Sequence, residues 1–298
     1  MAYEFRNDLR TRVRQAVERR LRQVTYVEDF LQLGHRLARA NHVEKLPWLD
    51  GPLRAVYQQL SENGLAQLPL DALGLPIDET LRAAEAHVEK LRQLPSVPGR
   101  TFALTSDEEL LAQAEPFVFG LSRPLLDLAE RYMGLPVDYL GVNIKREFAN
   151  GLSEGTRLFH ADPEDERVLK IIVYLSDVDA GSGPFAAIDV RQTAEAKKRL
   201  RYAWGSTCTP EALEKVVPSS EWRTFVGPRL TAVFCDTARC LHRASPPTTV
   251  DRYSMTFSYL SREAYFCFAS GRTLQRAYVE RWGQQLDAHQ RACVMPRT

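Results

Sequence analysis

From residue 135 onward the chain is a succession of short runs rich in β-branched and aromatic residues, separated by clusters of Gly, Pro, Asn and Asp. The runs cover 138–148 (DYLGVNIKREF), 168–175 (VLKIIVYL), 184–188, 229–235 (RLTAVFC) and 252–260 (RYSMTFSYL). Strands this short must pair with one another. Several at this spacing predict an antiparallel sandwich or barrel. Residues 190–225 interrupt the series with a helical insert. TAEAKKRLRYAW is one helical segment, and Thr209-Pro210-Glu211 opens another with an N-cap followed by Pro at the first position.

The first 135 residues read differently. Residues 8–40 place Leu9, Val13, Val17, Leu21, Val24, Phe30, Leu31, Leu33 and Leu37 among many Arg and Glu, with the early members at helical steps. Asn63-Gly64 and the Pro-containing stretch 69–76 mark turns. A second helix covers 78–93, with Asp78 as candidate N-cap, and LPSVPGR at 94–100 breaks it. Ser106-Asp107-Glu108-Glu109 is a capping-box signature, and helices continue to about Met133. Residues 271–290 form a last helix. The expectation is an α+β single domain over 1–298. Its parts are a mainly helical 1–135, a β core at 136–265 holding the 190–225 insert, and a C-terminal helix in 266–298.

Of 298 residues, 39 are basic and 38 acidic, a net charge of +1, so nothing global drives the chain toward nucleic acid or an anionic membrane. No apolar run approaches 18 residues, which excludes a membrane-spanning helix. The opening MAYEFRNDLRTRVRQ is charged throughout and has no apolar signal core. Five cysteines (Cys208, Cys235, Cys240, Cys267, Cys293) form no disulfide framework. Free thiols and a cytoplasmic location are expected.

Chemistry concentrates at four residues. His160 ends an extended segment, and Asp162, two positions on, points to the same side of a strand. That pair alone is weak evidence for a metal site, since such triplets are common and the same pair can be a surface hydrogen bond. His242 follows the apolar run 229–235 and a turn. In an antiparallel sandwich it can lie beside His160. Two imidazoles and one carboxylate on one side of an ion leave three adjacent positions open, an arrangement suited to non-haem Fe(II). Arg252, ten residues further, opens a strand whose alternate residues Arg252, Ser254, Thr256 and Ser258 are polar. That face either lines a cavity, where Arg252 and Ser254 would hold a carboxylate, or lies in water on an edge strand. His35, His42, His87 and His289 have no neighbouring ligand pattern and read as packing or surface residues.

The segment His160-Ala-Asp-Pro-Glu-Asp-Glu-Arg-Val-Leu-Lys-Ile-Ile-Val-Tyr-Leu-Ser-Asp-Val-Asp, followed by Gly183-Pro184-Phe185, resembles the phytanoyl-CoA dioxygenase-like family. So does Phe234-Cys-Asp-Thr-Ala-Arg-Cys-Leu-His242-Arg243. The resemblance spans roughly 138–262. It implies a double-stranded β-helix (a cupin-like jelly roll) and an oxygenase dependent on Fe(II), 2-oxoglutarate and O2, with ascorbate as a supporting reductant. By it, His160, Asp162 and His242 are iron ligands, Arg252 pairs with the distal carboxylate of 2-oxoglutarate, and Ser254 assists. By family position the strand 140–148 supplies further cosubstrate contacts, with Asn143 and Lys145 on one face of it as candidates; Lys145 reads alternatively as a solvated strand lysine. The chain departs from the family where a Pro-Gly-Ser-His segment is usual: Ala186-Ala-Ile-Asp-Val-Arg191 stands there instead.

The resemblance implies hydroxylation, desaturation or epoxidation of a small metabolite or natural-product intermediate, free or carrier-tethered, with release of succinate and CO2. A carboxylate at Asp162 fills the position a halide would need. Tyr202 and Trp204 in the insert are candidates to line the substrate pocket or to pack the insert onto the core. Lys197, Lys198, Arg199 and Arg201 read either as an anion-attracting patch or as a solvated face. The competing readings are a non-catalytic small-molecule-binding member of the same fold and a histidine-rich cupin enzyme. The latter is disfavoured because 138–262 holds two histidines.

Overall fold

The computed structural model describes residues 25–265 and 269–294. The helical positions Leu9, Val13, Val17, Leu21 and Val24, and Cys267, lie outside the described residues. The N-terminal part contains α1 (Thr25–His42), α2 (Gly51–Asn63), β1 (Leu65–Pro69), α3 (Asp78–Gln93), β2 (Phe102–Leu104), α4 (Asp107–Ala112), α5 (Glu115–Gly120) and α6 (Arg123–Met133). Then come β3 (Val137–Glu147), β4 (Phe159–His160), β5 (Leu169–Tyr174) and β6 (Phe185–Ala187). The insert holds α7 (Val190–Arg199), β7 (Thr207–Cys208), α8 (Pro210–Glu214) and β8 (Arg223–Phe225). The chain continues through β9 (Thr231–Asp236), β10 (His242–Ala244), β11 (Arg252–Ser261), α9 (Ala269–Trp282) and α10 (Ala288–Val294).

The strands form two antiparallel sheets. One has the order β1-β9-β5-β11-β3-β2, the other β7-β4-β10-β6-β8. Apart from β2 and β3, the strands that lie side by side are non-consecutive, as a double-stranded β-helix requires. The N-terminal part, expected to be mainly helical, also supplies both edge strands of the larger sheet, and the insert, expected to be helical, also supplies both edges of the smaller one. Such edge strands have two to five residues. Their existence depends on a distant partner already in place, which local pattern cannot reveal.

The larger sheet separates two environments. Tyr253, Met255, Phe257 and Tyr259 of β11 join Tyr139, Phe117, Phe119 and Leu125 in one apolar core against the N-terminal helices. The opposite face points between the sheets, where Ile172, Tyr174, Phe185, Phe225 and Val233 form a second core. Because β11 lies between β5 and β3, its polar face is not an edge in water: Arg252, Ser254 and Ser258 are 4 %, 3 % and 8 % exposed.

Local signals behave as their chemistry dictates. The Ser106 capping box forms with Glu109, and Thr209 caps α8 ahead of Pro210. Ile77, not Asp78, occupies the N-cap of α3, and Asp78 sits in the first turn, where its charge meets the helix dipole. Cys208, Cys235, Cys240 and Cys293 are free and buried. Among the described residues no helix is long and apolar enough to cross a membrane.

His87 of α3 is 2 % exposed and both ring nitrogens lack a hydrogen-bond partner. Burial, with Lys90 adding to it, lowers its pKa from the ordinary 6.5. The unfolded chain therefore takes up the proton first as pH falls below about 6.5, and stability declines there. His87→Leu should raise the melting temperature at pH 5 more than at pH 8. An equal change at both pH values would show that protonation of His87 plays no part.

Candidate metal and carboxylate site

His160 and His242 sit directly opposite each other on β4 and β10, with ring centroids 4.3 Å apart. Each ring is held in the same way. Nδ1 of His160 lies 2.9 Å from the Leu158 carbonyl oxygen, and Nδ1 of His242 lies 3.0 Å from that of Cys240. An Nδ1–H donating to a carbonyl assigns the tautomer and leaves the Nε2 lone pair for an ion. Burial lowers both pKa values. For His242, burial and then His160 bring it down to about 3, so both rings are neutral near pH 7, as ligation requires.

Asp162 follows β4, and its backbone N–H donates to the Thr237 carbonyl at 2.8 Å. This bond ties the loop after His160 to the turn before His242. The two carboxylate oxygens differ: Oδ1 lies 3.9 Å from His160 Nε2, while Oδ2 lies 2.6 Å from Lys170 Nζ. Burial disfavours the Asp162 charge, but Lys170 and then the two imidazoles outweigh it and hold the carboxyl well below the usual range. One donor atom from each of His160, Asp162 and His242 lies within 4.8 Å of the others. Two neutral imidazoles and an ionised carboxylate, converging from both sides of one sheet register, fit a divalent transition-metal ion.

Deeper between the sheets, β11 and β3 set Arg252 opposite Glu147, Ser254 opposite Lys145 and Thr256 opposite Asn143. Arg252 donates through Nη1 to the Gly183 carbonyl, its Nη2 is 3.8 Å from Glu147 Oε1, and its buried Nε has no partner. Gly183 has φ +71°, and a Cβ there would collide with the Ser245 carbonyl, so only glycine lets this carbonyl approach the guanidinium. Lys145 pairs with Glu147. Asn143 lies on the same inner face, half-buried.

Three residues of this region escaped the sequence reading. Glu147, fully buried, accepts from Arg157 Nε at 3.1 Å through its other oxygen. Arg157 is itself fully buried and donates to Asn150 Oδ1 and to the carbonyls of Leu152, Phe148 and Thr101. Burial opposes the Glu147 charge, but Lys145 and then Arg252 outweigh it and lower the pKa. Lys170 is the third. The signals were present: Glu147 shares the period-two face of Asn143 and Lys145, and Lys170 is the one charged residue in VLKIIVYL.

A cavity of about 420 Å³ opens beside Asp162. Lys197, Tyr202 and Trp204 of the insert line it, facing Arg239 and Tyr265. Of the basic insert residues, Lys197 reaches this cavity, Arg199 donates to the Val216 carbonyl, and Lys198 and Arg201 are exposed. A second group, Asp127, Glu130 and His289, also brings three donor atoms together, but Arg123 takes Asp127 and His42 takes Glu130, each at 2.7 Å. His35 pairs with Asp165 at 3.0 Å.

No protein-family model matches this chain, and no curated protein matches its sequence. Solved structures do match. EctD from S. alaskensis in its apoform gives a TM-score of 0.51 at 15% identity, over 72% of this chain and 80% of that one. EctD with bound Fe gives 0.50 at 14% identity over the same shares. At such identities the likeness establishes the fold.

Proposed function

We propose that the chain is an Fe(II)- and 2-oxoglutarate-dependent oxygenase of the phytanoyl-CoA dioxygenase-like type. Its substrate is a small metabolite or natural-product intermediate that it hydroxylates, desaturates or epoxidises. The observation that carries this reading is the pairing of two features between the same sheets. His160, Asp162 and His242 converge, and a buried Arg252 with an orphaned Nε lies deeper.

His160 Nε2, His242 Nε2 and Asp162 Oδ1 would hold the ion. Arg252 and Ser254 would hold the distal carboxylate of 2-oxoglutarate, with Lys145 and Asn143 on the adjoining strand. Bound together, Fe(II) and 2-oxoglutarate supply O2 activation coupled to decarboxylation, giving succinate and CO2. The chain's own part is positioning and exclusion of water. The carbonyls of Leu158 and Cys240 keep both imidazoles in the ligating tautomer. Lys145, Arg252 and Arg157 surround a single carboxylate, Glu147, so the pocket floor carries surplus positive charge that an incoming carboxylate would balance. Ile172, Tyr174, Phe185 and Phe225 form an apolar wall beside it. Tyr202 and Trp204 give the cavity at the mouth an aromatic surface for substrate.

The test is 2-oxoglutarate turnover. With Fe(II), ascorbate and air, the protein should release succinate slowly without substrate and faster with the right one. Arg252→Met should raise KM for 2-oxoglutarate by about 10- to 100-fold, the loss of a charge-assisted pair. Absence of iron-dependent succinate, or an unchanged KM in the variant, contradicts the proposal.

A further inference from the structure

The two oxygens of Asp162 are committed to different neighbours, and the difference originates in the opposite sheet. Lys170 belongs to β5 of the larger sheet, where it pairs in register with Ser258 of β11 and Cys235 of β9. Its strand neighbours on the same face, Ile172 and Tyr174, are buried and apolar. An ammonium in that row costs desolvation unless a fixed anion meets it. Asp162 Oδ2 meets it as an ion pair at 2.6 Å, in a geometry that leaves Oδ2 without a formal hydrogen bond. Oδ1 is the oxygen turned toward His160.

The chemistry of the site gives this division a purpose. A carboxylate can give a metal one oxygen or two. Two imidazoles and one oxygen leave three adjacent positions, enough for a bidentate 2-oxo acid and dioxygen. Two imidazoles and two oxygens leave too few. We infer that Lys170 is a positioning residue: it occupies Asp162 Oδ2, so that Oδ1 alone is offered to the ion and a third position, for dioxygen, stays open beside the bidentate cosubstrate. This rests on the oxygenase reading of the site. The chain has 7 Lys against 32 Arg, and three of those seven, Lys145, Lys170 and Lys197, face the site or its cavity. A compact ammonium can meet one oxygen, whereas a guanidinium fork tends to take both.

Co(II) is the probe, because its visible spectrum reports coordination and it does not turn over. Co(II) is titrated into wild type, Lys170→Met and Lys170→Ala under argon, and 2-oxoglutarate is then titrated into each complex. Wild type should bind both. Both variants should bind Co(II) as tightly as wild type or more so, since a positive charge has gone and an oxygen has been freed. They should show an altered binary spectrum, and once 2-oxoglutarate is bound they should take up azide, a small ligand for the last open position, at least about tenfold more weakly than wild type does. In the alanine variant, added methylammonium should recover part of that loss. Variants that match wild type in spectrum and in azide affinity overturn the inference. So do variants that lose Co(II) binding altogether, which marks a general structural role. A wild type that binds no Co(II) defeats the oxygenase reading itself, a result distinguishable from both.

Discussion

Glu147→Ala should destabilise the protein by about 3–5 kcal/mol, the cost of removing one partner from a buried charge cluster. Glu147 and Arg157 are fully buried, and Arg252 is 4 % exposed. One carboxylate serves Arg157 through Oε2 and both Lys145 and Arg252 through Oε1. Without it, three cations share a water-poor space: Arg157 and Arg252 keep carbonyl oxygens as partners, and Lys145 keeps the face of the Phe102 ring. Against a total stability of about 5–15 kcal/mol, that is a large fraction, and the apparent melting temperature should fall by roughly 10 °C. Glu147→Gln keeps an acceptor for Arg157 and should lose less. Added 2-oxoglutarate should restore part of the loss in the alanine variant, because its carboxylate supplies the missing negative charge. Differential scanning calorimetry measures this directly, and a variant as stable as wild type would show that the cluster is not held by Glu147.

His242→Ala should leave the fold intact and remove metal binding. His242 contributes its ring from the first residue of β10, while the strand's pairing with β4 and β6 is made by backbone. The ring is 4 % exposed and touches Phe185, so truncation costs some packing, about 1–2 kcal/mol. The metal loses one of two imidazoles, and affinity should drop by more than about 100-fold, beyond what outer partners of a ligand typically contribute. Succinate release should disappear with it. Asp162→Ala should behave alike in metal affinity, with Lys170 losing its nearest anion as well.

The two halves of this site were unequally legible in the sequence. β11 announces itself, because Arg252, Ser254, Thr256 and Ser258 alternate with Tyr253, Met255, Phe257 and Tyr259, one face polar and the other apolar. His160 and Asp162 were visible as a period-two pair. What joined them to His242 was a register across 82 residues, which spacing permits but does not dictate. The charged residues hidden in the core were the hardest. Nothing in the sequence marks Arg157 as buried; the carbonyls of Thr101, Phe148 and Leu152 close around it only in the fold. Lys170 stands out as the one charge in VLKIIVYL, but its partner Asp162 is set across the barrel only by the fold. β1 and β2 were lost for a related reason: they are stabilised by β9 and β3, far along the chain, more than by their own residues.

The account depends on one ion being held by His160, Asp162 and His242 while Arg252 holds the far end of 2-oxoglutarate. The most direct measurement is an anaerobic titration of Fe(II)-loaded protein with 2-oxoglutarate, followed by visible absorption. Wild type should develop the weak charge-transfer band of a 2-oxo acid chelated to Fe(II), saturating at one equivalent, and His242→Ala should develop none. A wild type without the band, or a His242→Ala protein that keeps it, would contradict the account.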